Sequence, residues 1–144
     1  TGKYNHDTII FEPSKPISKG GYIHVNVDPD ILLKTVQLGD RLGATGVRTT
    51  EGYRTREEYY KLPGYEEKDP SEWQRNYHCQ KIAIDVTFYK NNDIIDKYEA
   101  AKEARTMFGH SMGGVSIYSG KTIVHIDLRE KPVNLIDGKV VPNF

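Results

Sequence analysis

Two stretches of this chain alternate in the same unusual way. "KIAIDVTFY", residues 81–89, and "TIVHIDLRE", residues 122–130, place aliphatic side chains at every second position. That period belongs to a strand with one covered face. In the first run Ile82, Ile84 and Val86 share a face, and Ala83, Asp85 and Thr87 take the other. In the second, Val124, Ile126 and Leu128 oppose His125 and Asp127. A carboxylate buried in mid-strand is costly unless it is paired or holds a metal. The two runs therefore predict one sheet whose apolar face is covered. If they are neighbours, Asp85, His125 and Asp127 converge on the other face. His78 would join them from the loop feeding the first strand.

The remaining elements follow from local signals. "DTIIF" reads as a short strand, "EPSKPISKGG" as a connector and "YIHVNV", 22–27, as a strand. "DPDILLKTVQLGDRLG" predicts a helix with Asp28 as N-cap, Pro29 in the first turn and Gly43 at the end. Ile31, Leu32, Thr35, Val36, Leu38 and Leu42 form its stripe. "GVRTTEGYRTREEYYKL" reads as a short strand, a turn and a charged helical turn, and 63–76 as a long surface loop. "NND" is a turn. Residues 93–109 predict a second helix, capped by Asp93 with Asp96 three residues on and ended by Gly109. "GGVSIY" and "TIVHIDL" are strands joined through "SGK", and Asp137-Gly138 marks a terminal hairpin. Short connections between the late strands favour an α+β fold, a mainly antiparallel central sheet flanked by helices. Residues 1–21 read as an N-terminal extension or linker and 22–144 as a single domain.

Composition narrows the function classes. With 20 basic and 20 acidic residues, no overall field attracts nucleic acid or an anionic membrane. No apolar run is long enough to span a bilayer, and no signal peptide is visible. The lone cysteine, Cys79, forms no internal disulfide and reads as buried filler. Ten tyrosines suggest half-wet aromatic surfaces of the kind found around clefts.

Two imidazoles and a carboxylate suit Zn2+, and three protein ligands leave a position open for catalysis. The plainer reading is that these side chains only hydrogen-bond within the sheet. His24 in "HVNVD" reads as an edge-strand residue facing solvent, and His110 as a group at the helix end.

In order and spacing, "GYRT", then His78-x6-Asp85 with Ala83 two before the Asp, then a helix, "GGVSIY" and "VHIDLR", resemble the zinc D-alanyl-D-alanine carboxypeptidase family. That family has a hedgehog-like zinc fold and includes L-alanyl-D-glutamate endopeptidases of phage lysins. Its usual pattern is S-G-Y-R-S, S-x-H-x-x-G-x-A-x-D, G-G-x-G-x-Y and F-x-H-x-D, and the likeness covers about residues 45–130. The resemblance implies a zinc peptidase-like domain over 22–144, with His78, Asp85 and His125 as Zn2+ ligands. It also implies that Arg54 binds substrate or a developing oxyanion. Tyr53, Tyr77 and Trp73 are further substrate-binding candidates; the alternative for Trp73 and Tyr77 is that they anchor the long loop.

The departures are specific. Glu51 stands where Ser precedes Gly-Tyr-Arg, Asn76 replaces the Ser two before the first histidine, and Lys81 replaces the Gly three after it. Many members carry an acid three residues before the last histidine, and here that residue is Thr122. Asp127, on the face of His125, is then the candidate proton acceptor; the alternative is that it braces His125 or Arg129. The resulting expectation is hydrolysis of peptidoglycan stem peptides or cross-links, at the cell wall, an extracellular or periplasmic face, or in a phage particle. The rival expectation is a catalytically weak or inactive cell-wall-binding domain on the same scaffold.

Overall fold

The computed structural model describes residues 3–5, 8–10, 27–53 and 76–144. Arg54, Trp73, His24 and most of the expected strand 22–27 and loop 63–76 lie outside the described residues. Among the described residues eleven elements follow in order: β1 Lys3–Asn5, β2 Thr8–Ile10, α1 Pro29–Arg41, β3 Gly46–Glu51, β4 Ala83–Lys90, β5 Asp93–Ile94, α2 Lys97–Phe108, β6 Gly114–Ile117, β7 Val124–Asp127, β8 Val133–Ile136 and β9 Lys139–Val140. The strands form one sheet in the order β1-β2-β3-β4-β7-β6-β8-β9, with β5 paired to the end of β4. Every pairing is antiparallel except β6 with β8. The fold is α+β, as the short late connections imply. The N-terminal extension contributes the β1–β2 hairpin to one edge of the sheet.

Strand alternation divides the sheet into two chemically different faces. Ile84, Val86 and Phe88 of β4 meet Val115 and Ile117 of β6 and Val124 and Ile126 of β7 in one buried cluster. α1 covers that cluster with Ile31, Leu32 and Leu38, and α2 with Ala100, Ala101, Ala104 and Phe108. The alanines let α2 approach closely, and an ion pair of 2.7 Å from Arg41 to Glu103 joins the helices at their rim. The other face carries Asp85, His125, Asp127, Gly114 and Ser116, so the core does not compete with the site for space.

Local signals set most boundaries. The Asp28 side chain accepts from the Asp30 amide, and Pro29 opens α1. Helix α2 begins later than the predicted 93: its N-cap is Asp96, whose carboxylate accepts from the Tyr98 and Glu99 amides. Asp93 and Ile94 instead form β5, because Asn91 and Asn92 both take positive φ and fold the chain back onto β4. Asp137 and Gly138 make the equivalent turn between β8 and β9.

Candidate metal centre

Register brings the distant residues together. Asp85 on β4 lies opposite His125 on β7, and His125 lies opposite Ser116 on β6. One row along, Ala83 faces Asp127 and Asp127 faces Gly114. On the other flank a β-bulge between Thr49 and Glu51 brings Glu51 opposite Asp85. A cross-strand ladder thus runs Glu51, Asp85, His125, Ser116 over four strands.

His78 reaches the ladder from a tight turn. The Asn76 side chain accepts from the Cys79 amide and its carbonyl from the Gln80 amide, so Asn at this position caps the turn. Lys81, where the resembled pattern has glycine, sits at φ 66°, a left-handed backbone that glycine adopts most easily. Its ammonium rests 4.8 Å from the centre of the Tyr53 ring. The turn buries His78 and Cys79.

The ring nitrogens are set by what surrounds them. His78 Nδ1 donates to the Gly52 carbonyl at 2.9 Å, which aims Nε2 at Asp85 Oδ1, 3.4 Å away. His125 Nε2 donates to Asp127 Oδ2 at 2.7 Å, and its Nδ1 meets Asp85 Oδ1 at 2.8 Å. Two nitrogens therefore converge on one carboxylate oxygen, with the two rings nearly perpendicular. In neutral rings these would be lone pairs facing an anion, so a proton or a metal cation must lie between them. The three donor atoms lie within 4.8 Å of one another, and the group could hold a metal ion. Donors about 2 Å from a tetrahedral metal stand about 3.3 Å apart, close to the His78–Asp85 spacing. Each imidazole also has the outer hydrogen bond that metal-binding histidines usually make, one to a carbonyl and one to a carboxylate. Both features are those of a group that could hold a metal ion.

Electrostatics follow the same contacts. Burial would raise the Asp85 carboxyl, but hydrogen bonds from His125 and His78 outweigh it and hold the group well below the usual carboxylate range. Burial would lower His125, but its hydrogen bonds to Asp127 and Asp85 raise it to about 9.

Asp127 does not fit the role of proton acceptor. It is fully buried. Oδ1 accepts from the amides of Gly114 and Arg129 and from Arg129 Nε, and Oδ2 from Arg129 Nη2 and His125. Burial pushes its pKa up, yet the Arg129 and His125 hydrogen bonds hold it well below the usual range. A carboxylate with both oxygens occupied, and this acidic, is a poor base for a neutral reaction. Its geometry is that of a brace for His125 and Arg129. Glu130 is exposed and borders a neighbouring hollow with Tyr77, Gln80, Ile82, Leu128 and Lys131. Thr122 pairs hydroxyl to hydroxyl with Thr87 at 3.2 Å.

Above the donors lies a cleft of about 370 Å³, lined by Asn76, Tyr77, Ser116, Tyr118, Lys121 and Arg129 besides the three donor residues and Leu135. Tyr77 lies beneath the Arg129 guanidinium at 4.3 Å. Tyr53 follows Gly52 at the end of β3, beside Lys81. His110 borders a different hollow with Arg105 and Val133. Sequence reasoning missed the Gly52 carbonyl and Ser116, while the hold of Asp127 on His125 and Arg129 is the alternative it had named for that carboxylate. It also missed why glycines stand at 113 and 114. A Cβ on Gly114 would lie 2.5 Å from Asp127 Oδ2 and from Arg129 Nε, and one on Gly113, at φ 90°, would strike the Phe108 ring. Among the described residues no helix is long and apolar enough to cross a membrane. No family model matches the chain, and no curated protein or solved structure matches it either.

Proposed function

We propose that the chain is a zinc-dependent peptidase acting on peptidoglycan stem peptides or their cross-links. The observation that carries the reading is the convergence of His78, Asp85 and His125, each imidazole oriented by its own outer acceptor. The motif order described above supplies the substrate class. Zn2+ bound there would polarise a scissile carbonyl and acidify water. His78 and His125 would present neutral nitrogens to it, and Asp85 an oxygen. Asp127 keeps a proton on His125 Nε2, which leaves Nδ1 as the ligand atom. Arg129 and Lys121 give the cleft a cationic wall suited to the carboxylates of a stem peptide. Arg54 is assigned to substrate by resemblance alone.

A second reading has its own observation. Asp85 is the sole carboxylate among the described residues lining the cleft, and the metal would occupy it. A domain of this kind would bind cell-wall peptide without cutting it. Metal analysis should give about one zinc per chain in the native protein and little in His125→Ala. The zinc-loaded protein should cleave purified peptidoglycan, stop with a chelator and resume when zinc is restored. Absence of zinc would reject the metal site. Zinc without cleavage would reject the peptidase and leave the binding domain.

A further inference from the structure

Ser116 is a buried hydroxyl that no described residue engages. It is 2% exposed, and its Oγ has no hydrogen-bond partner among the described residues. An unmade hydrogen bond at a buried hydroxyl costs stability, and native proteins keep few of them. Its neighbours on β6 show what the strand's own packing requires. Val115 and Ile117 enter the apolar core, and Gly114 makes room for Asp127. Ser116 alternates onto the site face, directly across from His125, on the side away from Asp85. It also lines the cleft above the three donor atoms. In the family pattern that the chain resembles, glycine stands here, so the hydroxyl is a feature of this chain.

From this position we infer that Ser116 Oγ is a ligand-binding group. It donates a hydrogen bond to an anionic oxygen, of carboxylate type, on the ligand that completes the metal's shell. The inference rests on the metal-site reading. It adds a specificity for anions, which the surrounding charge supports. Lys121 and Arg129 line the same cleft, its one described carboxylate, Asp85, belongs to the donor set, and the buried Asp127 nearby is committed to Arg129 and His125. A hydroxyl is suited to the task because it can rotate to donate, whereas both His125 nitrogens are already committed.

The test uses Co2+ in place of zinc, so that ligand exchange is visible in the absorption spectrum, and acetate as the anion. Ser116→Ala should bind Co2+ within about twofold of the native protein, because it removes no donor atom. It should bind acetate about tenfold more weakly, the loss of one hydrogen bond to a charged group. In the metal-free state Ser116→Ala should melt a few degrees higher than the native protein, since it removes an unpartnered buried hydroxyl at little volume. A serine with a merely structural role would lower that melting temperature. Equal acetate affinity in the two proteins overturns the inference. So does a lowered metal-free melting temperature. Native protein that takes up no Co2+ overturns the metal-site reading, and the role of Ser116 with it.

Discussion

Asp127 shows how much one carboxylate can hold in place. Five hydrogen bonds end on its two oxygens, from three residues on two strands and the segment after β7. It fixes the His125 tautomer, binds Arg129 in bidentate fashion and forbids a side chain at position 114. Asp127→Asn should therefore weaken zinc affinity by about 10–100-fold, while turnover at saturating zinc changes far less. A rate loss of about 10²–10⁴-fold with unchanged affinity would instead make Asp127 the base. Metal titration and kinetics on the one variant separate these outcomes. The sequence reveals that Asp127 shares a face with His125, because strand alternation alone decides that. It leaves the hold on Arg129 as one of two alternatives, since an arginine after a strand looks the same in sequence with or without a partner.

Elements differ in how openly their sequences declare them. The strands at 83–90 and 124–127 are legible because each has one apolar face, and Asp137-Gly138 because its backbone demands positive φ. The bulge in β3 is not legible. "RTTE" carries no glycine to mark it, and the two threonines suit either face. Yet the bulge sets which residue stands beside Asp85. The start of α2 is misread for a related reason. Asp93 and Asp96 are both good caps, and only the pairing of β5 with β4 decides between them. Asp96→Ala should cost about 1 kcal/mol by orphaning the amides of Tyr98 and Glu99, whereas Asp93→Ala should cost much less. Thermal melts should show a drop of about 2–4 °C for the first. Equal drops would mean that position 93 shares the capping.

For the whole molecule, the site is a store of opposed charge that folding must assemble from segments about 40 residues apart. His125 is held near pKa 9 against an ordinary value of 6.5, by hydrogen bonds to Asp127 and Asp85 that overcome its burial. A raised imidazole stabilises the fold fully below its unfolded pKa. That stabilisation is lost as pH climbs through the folded one. The metal-free protein should accordingly lose stability between about pH 6.5 and pH 9, which melts across that range would measure. Zinc bound as proposed would displace the Nδ1 proton, so its affinity should rise with pH over the same interval, and calorimetry in buffers of different ionisation enthalpy should detect proton release. A flat affinity profile would mean that His125 binds no metal. The division of the sheet into two faces has an evolutionary consequence. Helices and core occupy one side, so substitutions on the other can alter ligands, charge or catalytic groups while the fold persists. Ser116 stands on that face, across from His125 and clear of the core, so its chemistry can change one side chain at a time without passing through an unfolded ancestor.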